Sequence, residues 1–579
     1  MTDIRRTVLW VVFTMSLFLL WDGWQRFNGH PSMFAPAQHP TVVAGAAPAG
    51  AASAAQVAAA AASGAASDAA PAFPREAVHV KTDVLDVTLD SLGGSVTRVA
   101  LLKYEAKPAQ GILDPLLEKV GLKKAPADAQ DPVLLEDPAH DYAAQSGLVG
   151  AHGEQLPNHE TPMLVQPGER TLKDGSDVVV VKMESAPVNG VKLVKTFTFK
   201  RGDYVVGVRH EVVNGGTAAV TPQLYLQLVR DGVVDTSHSM IGQKPFSGPA
   251  AYTEQSGFHT FPFDDVRKGK AEIDKTASDG WVAMTQHFFA SVWLPESTAQ
   301  RDFFLRPVAT SNPADPQYSI GMVFTLPSLA PGVTEAQDDR LFVGPQEAKK
   351  LAGLAPSLPL VKDYGIFKIL AQPLFWLLDQ LHQLIGNWGW AIIALVVLLK
   401  AAFFWLNASA YRSMAKMKAI GPRIQALNER YKDKPQEKQQ EMMRIYREEK
   451  VNPLGSCLPI LVQMPFFMGL YSVLSTSVEL RDAPWLGWIQ DLSAHDPYFI
   501  LPLIMLASQL FQVWLNPTPP DPVQAKMMWV MPLMFSVMFF VFPAGLVLYW
   551  LTNNILSIAQ QWFINKQLGV ANHVPAPKS

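Results

Sequence analysis

The stretch "AIIALVVLLKAAFFWLN", Ala391 to Asn407, decides how the rest of the chain is read. Its only charge is Lys400; Trp388 and Trp390 stand just upstream and Arg412 just downstream. An apolar run of this length, flanked by interfacial aromatics and a cation, predicts a helix that crosses a bilayer. A lysine inside such a helix costs ~2.5–3.5 kcal/mol on insertion scales, so it usually faces a protein interior or a watery cavity. The bland alternative is snorkelling. Lys400 lies seven residues before Asn407, roughly 10 Å along a helix axis, and a long side chain covers part of that distance.

Charged residues make up 17 % of the 579, against ~25 % in ordinary soluble proteins. That shortage fits a membrane protein, and the length suggests several domains. Lys plus Arg is 48 and Asp plus Glu is 51, a balance of −3, so overall charge predicts no nucleic-acid partner. Cys457 is the sole cysteine; an intramolecular disulfide and a multi-cysteine metal site are excluded. The chain carries no GxxxxGK[ST], HExxH or GxSxG motif, so neither a cofactor, a metal nor an enzymatic activity is expected.

At the N-terminus, Arg5 and Arg6 precede an apolar run from Val8 to Trp21. "APA" at Ala35 to Ala37 resembles a cleavage site but lies too far beyond that run, which favours an uncleaved anchor over 7–24 with residues 1–6 in the cytoplasm. An Ala-rich tether follows over 25–74. From 75 to 361 the pattern alternates, as in "VLDVTLD", "KLVKTFTFKRGDYVVGVRHEVVN", "QLYLQLV" and "GWVAMTQHFFASVWL". Many short strands between Gly, Pro, Asn and Asp turns predict a β-sandwich. The Arg201-Gly202-Asp203 tripeptide reads as a hairpin turn rather than an adhesion motif. His210, His259 and His287 show no metal spacing and no evident carboxylate partner, and are read as structural.

Residues 362–386 place Lys368, Gln372, Asp379 and Gln383 on one polar stripe of an otherwise apolar helix, the signature of an interfacial helix that Pro373 kinks or starts. A buried helix of the sandwich domain is the alternative. Five spanning candidates follow, near Trp388–Asn407, Leu458–Thr476, Tyr498–Leu515, Met527–Phe542 and Gly545–Ile564. As domains these are 387–408, 456–476, 498–515 and the pair within 527–564, with short segments 516–526 and 565–579. With the anchor they make six. Between 409 and 455 lie eleven basic and six acidic residues, whereas 477–497 holds one basic and four acidic. The positive-inside rule puts the first segment and both termini in the cytoplasm, and the second with the sandwich outside. Within 409–455, Met417, Ile420, Ile424, Leu427 and Tyr431, then Met442, Ile445 and Tyr446, predict a two-helix hairpin with an apolar seam. Its basic surface includes Arg412, Lys416, Lys418, Arg423, Arg430, Lys432 and Lys434. Those charges either set topology alone or dock an acidic partner, such as ribosomal RNA or a targeting factor.

"NWGW", "SMAKMKAIGPRIQAL", "EMMRIYREEKVNPLGSCLPILVQMPFFMGLY", "SVELRDAPW", "DLSAHDPYFILP" and "FPAGLVLYW", with "GWVAM" and "LFVGPQ" in the alternating region, resemble the YidC membrane insertases of Gram-negative bacteria. These are kin to the Oxa and Albino insertases. The likeness covers nearly the whole chain. It implies a polytopic α-helical inner-membrane protein whose six transmembrane helices include a five-helix insertase core. It also implies a large periplasmic β-sandwich of sugar-mutarotase type. Nascent membrane proteins would enter a hydrated groove open to the cytoplasm and to lipid. The implied partners are the lipid bilayer, the Sec translocon with its accessory SecDF, and the ribosome and signal-recognition machinery at the hairpin and tail.

In that family a basic residue, usually arginine, projects into the groove from the first core helix. Lys400 stands at the matching position, so the charge is kept while the planar bidentate fork is lost. Tyr549 matches a family tyrosine implicated in substrate contact, and Trp550 stands where a second tyrosine is common. The residues themselves add Gln463, Ser508, Gln509, Asn553 and Asn554 as groove lining or interhelix hydrogen bonds. Met464 belongs to a set of flexible thioethers suited either to varied substrates or to lipid, and Pro465 is expected to bend its helix. Two other classes are weighed against an insertase. A secondary transporter would show repeated halves and interrupted helices, and no repeat is visible. An anchored carbohydrate-binding protein or enzyme would need paired carboxylates at a sugar site, and none is assignable.

Overall fold

The computed structural model describes residues 75–106, 132–135, 140–233, 246–308, 316–431, 434–449, 458–516 and 522–567. The expected anchor, tether, Lys432 and most of the C-terminal tail lie outside these residues, as does the side chain of Lys418.

The alternating region forms two antiparallel nine-stranded sheets. The first runs Ala77–Lys81, Leu85–Asp90, Ser95–Glu105, Ala143–Gly150, Pro222–Asp231, Gln317–Thr325, Arg301–Val308 and Thr276–Ala277, with Pro132–Leu134 beside Ser95–Glu105. The second runs Gly257–Thr260, Gly248–Thr253, Trp281–Thr285, Phe289–Pro295, Thr334–Pro345, Val205–Asn214, Val191–Lys200, Val178–Ser185 and Met163–Val165. Period-two alternation decides what each strand buries. In Val191–Lys200 it turns Leu193, Phe197 and Phe199 inward; in Val205–Asn214 it turns Val206, Val208 and Val212 inward. Trp293 is 1 % exposed and its Nε1–H donates to Gln227 O at 3.1 Å, tying one sheet to the other. The Arg201-Gly202-Asp203 corner is a turn, with Gly202 at φ +70°.

The same alternation sends two polar residues into the core. Lys195 and His210 face each other across the strand pair, and both are fully buried. The Lys195 amine donates to Gly93 O at 2.6 Å and Ser146 O at 2.8 Å, and no carboxylate pairs with it among the described residues. Burial pushes its pKa down to about 7. His210 corrects the sequence reading: it has a carboxylate partner, with Nδ1 3.1 Å from Asp339 Oδ2, while Nε2 lies 2.8 Å from Ser146 Oγ. Burial still holds His210 below its ordinary value, outweighing the opposing pull of Asp339.

These shifts fix a pH dependence. Lys195 titrates near 10.5 when unfolded and near 7 when folded. Between those values the unfolded chain holds the extra proton, so stability rises with pH across the window, and the full penalty is present below about 7. Lys195→Met is expected to stabilise the chain most at the acid end of this window and to flatten the rise. Denaturant midpoints from about pH 6 to 10 measure this; an unchanged slope in the variant would refute it.

The helices are α1 (Phe263–Arg267), α2 (Ala348–Leu354), α3 (Lys368–Ile385), α4 (Trp388–Ala402), α5 (Phe404–Ala419), α6 (Gly421–Arg430), α7 (Pro435–Glu448), α8 (Leu458–Thr476), α9 (Ile500–Leu515), α10 (Pro522–Phe539) and α11 (Ala544–Gln567). α3 starts at Lys368 and runs through Pro373. Of its polar stripe, Asp379 pairs with Lys349 of the sandwich domain at 3.1 Å, while Gln372 and Gln383 are exposed. Its exposed side carries Ile369, Trp376 and Leu384. The Gly386-Asn387 pair joins α3 to α4: Gly386 closes α3 at φ +78°, and Asn387 Oδ1 caps α4 by accepting from Trp390 N–H at 3.1 Å. A second cap comes from outside the helix: Leu492 O and Ala494 O accept the N–H groups of Gly545 and Ala544, satisfying the start of α11.

The expected continuous helix over Ala391–Asn407 is broken at Phe403, where α4 and α5 diverge by 64°. No proline or glycine marks the break. Among the described residues no single helix is both long and apolar enough to cross a membrane, although the bent α4–α5 pair together is. A second break falls at Ile420, where Gly421-Pro422 ends α5, so the seam expected to run unbroken from Met417 is split. Beyond it, α6 and α7 form the expected hairpin over Ile420, Ile424, Leu427 and Ile445.

Candidate functional site

Three helices build one open cleft. α4 supplies Val396, Leu399 and Lys400, with Phe403 at the break; α8 supplies Gln463 and Phe466; α11 supplies Tyr549 and Asn553. Phe403 packs edge-on against Phe466 at 5.1 Å between centroids, so the break itself forms part of the wall. Lys400 is the single charge among these residues. Its Nζ donates to Ser557 Oγ at 2.7 Å, and Ser557 in turn donates to Asn553 O at 2.7 Å. The hydroxyl proton is thus committed to the helix backbone, which leaves Ser557 an acceptor for the ammonium. No carboxylate pairs with Lys400 among the described residues.

Lys400, Gln463, Tyr549 and Asn553 therefore share the cleft, and the other candidates do not. Trp550, one residue past Tyr549, packs between Phe467 and Phe539 at 4.9 and 5.0 Å. Ser508 accepts from Asn554 Nδ2 at 2.8 Å, an α9–α11 contact. Gln509 Oε1 is buried and finds no partner among the described residues. Met464 is 48 % exposed and Pro465 is exposed, both outside the cleft lining. Met527, Met531 and Met534 also face outward. Gln463 Nε2 also donates to Asn407 Oδ1 at 3.1 Å.

Ser557 was not among the sequence candidates. Its signal was present: Asn554, Ser557, Gln561 and Asn565 recur at helical spacing and are buried on one face of α11. Of the basic hairpin residues, Arg423 pairs with Glu449, Lys434 with Glu437 at 2.9 Å, and Arg430 lies over the Tyr431 ring. Arg412 and Lys416 are exposed.

Ser508→Ala separates a packing role from a cleft role. It strips the acceptor from the Asn554 amide and is expected to cost about 1 kcal/mol in a micelle or bilayer. Activity per folded molecule should be unchanged. A loss of activity larger than the loss of folded protein would give Ser508 a direct role.

The sequence matches known protein families over most of its length. Residues 77–377 match the family described as YidC periplasmic domain, and residues 380–571 match the 60Kd inner membrane protein family. Together they define an inner-membrane protein with a periplasmic domain. Across its full length the chain is 50 % identical to the membrane protein insertase YidC of Cupriavidus metallidurans, covering 100 % of both. It is 47 % identical to that of Ralstonia nicotianae, again covering 100 % of both. A solved structure described as an active YidC insertase with the first transmembrane domain resolved aligns at 20 % identity. It covers 84 % of this chain and 92 % of its own, with a TM-score of 0.38. A putative aldose 1-epimerase of Escherichia coli K12 aligns with 47 % of the chain and 99 % of its own at 10 % identity and a TM-score of 0.27. The chain belongs to the YidC family of membrane protein insertases. Its function is membrane protein insertion, and its substrates are nascent membrane proteins at the bilayer.

Proposed function

We propose that a nascent segment enters the cleft from the cytoplasm and that its polar flank is held for a moment by Lys400. The apolar helix then leaves sideways into lipid. The supporting observation is the pairing of Lys400: a lone cation, bound to a neutral hydroxyl 2.7 Å away in an otherwise uncharged cleft. A hydrogen bond to a neutral partner contributes ~0.5–1.5 kcal/mol net. One between ionised partners is roughly twice as strong. A carboxylate on the flank therefore displaces Ser557, yet remains weak enough to leave. Helix burial in lipid drives the step without ATP, and no covalent chemistry or cofactor takes part.

In this reading the chain spans the membrane six times, with both termini and the 409–455 hairpin in the cytoplasm. The charge contrast between that segment and 477–497 supports this topology. Exposed Arg412 and Lys416 on α5, just ahead of the hairpin, suit docking of the ribosome and targeting machinery. The Sec translocon with SecDF is a further partner in this reading.

Site-specific photocrosslinking tests the path. A probe at Asn553 is expected to capture a stalled nascent membrane protein, whereas one at Val537, 69 % exposed on α10, is not. Equal capture at both positions would remove the cleft from the route.

A further inference from the structure

The segment Ser477 to Asp482 that follows α8 joins two hydrophobic cores. Val478 belongs to the sandwich core and Leu480 to the helical core. Between them, Glu479 Oε2 meets Lys362 Nζ at 2.7 Å, and its Oε1 accepts the N–H of Ala348, the first residue of α2, at 3.2 Å. The Lys362 side chain is 1 % exposed, and its ammonium lies 3.9 Å from the centre of the Phe375 ring on α3. One buried cation thus binds the far end of α8 to a ring of α3.

Below that point the two helices pack closely. A Cβ on Gly469 of α8 would stand 3.2 Å from Leu370 Cβ and 3.4 Å from Ala371 N, both on α3. α3 also packs on α4, which carries Lys400. α8 carries Gln463 and Phe466 into the cleft near its other end. We infer that Lys362 and Glu479 are positioning residues for insertion. Their buried ion pair fixes α8 on α3 and so holds the α8 wall of the cleft opposite Lys400. A buried pair is a poor source of stability compared with packed apolar groups, but it is directional, and breaking it from one side leaves a charge without its partner. This inference rests on the cleft reading above.

The test uses the full chain with Cys457→Ser and a Leu370→Cys/Gly469→Cys pair, whose Cβ atoms need only a few tenths of an ångström of adjustment to reach disulfide geometry. Lys362→Met/Glu479→Leu removes both charges together. Relative to the parent, this variant should form the disulfide in lower yield and insert a test membrane protein several-fold more slowly per accumulated molecule. Oxidising the fraction that closes should restore its insertion. Insertion at the parent rate, or continued slowness in the disulfide-locked form, would overturn the inference. Should the double variant fail to accumulate, Glu479→Gln, which keeps the shape but not the charge, enters the same comparison with the same readings. Lys400 variants leave the disulfide yield unchanged whatever they do to insertion, so failure of the cleft reading is distinguishable from failure of this one.

Discussion

Lys400→Glu fails to rescue insertion of substrates with acidic flanks in cells depleted of the native protein, while Lys400→Arg rescues it: this is the largest expected effect. The physical reason is a change of sign in a confined site. Two unit charges 4 Å apart interact by ~4 kcal/mol at an effective dielectric constant of 20, and each ~1.4 kcal/mol is a factor of ten. Reversal turns attraction into repulsion, so a loss of at least about a hundredfold is expected. Arginine keeps the charge and still donates to Ser557. Lys400→Ala should fall between the two, retaining the path but not the attraction. Membrane levels of each variant, measured beside insertion, separate this effect from misfolding. Rescue by Lys400→Glu would refute the charge role outright.

Trp293→Ala carries the second-largest effect, and it acts on the fold. The ring is 1 % exposed in the sandwich core and its Nε1–H reaches Gln227 O on the opposite sheet. Truncation of a buried aromatic costs ~3–5 kcal/mol in lost burial and cavity formation, and loss of the indole hydrogen bond adds to it. Against a typical total of ~5–15 kcal/mol this is severe. For a domain of this size the thermal midpoint should fall by roughly 10 °C. Scanning calorimetry of the purified chain reads it. A shift of one or two degrees would mean that Trp293 does not hold the sheets together.

Local patterns made much of the molecule legible. Alternation in "KLVKTFTFK" and "VVGVRHEVVN" predicted the strands Val191–Lys200 and Val205–Asn214 and their turn at Gly202. Read one step further, it also turns Lys195 and His210 inward, but it cannot supply the Asp339 carboxylate that meets His210 from 129 residues away. Apolar runs located α8, α9 and α11 closely. The break at Phe403 escaped, because neither proline nor glycine marks it and the rings of Phe403 and Phe466 meet only once the helices pack. Within the cleft, spacing could not separate Tyr549, which lines it, from Trp550, which packs between two phenylalanines. A 100° step along a helix decides that difference, and only the neighbouring helices reveal which side is which. The Lys362–Glu479 pair spans 117 residues and two cores, beyond the reach of any local pattern.

The most direct measurement pairs two changes: Lys400 against Lys400→Met, and a single-span substrate with an acidic flank against the same substrate with its flank neutralised. Insertion rates of all four combinations are measured in membrane vesicles depleted of the native protein. If the cation works by attracting carboxylates, Lys400→Met slows the acidic substrate several-fold and leaves the neutral one near its original rate. Equal slowing of both substrates, or of neither, would contradict the mechanism.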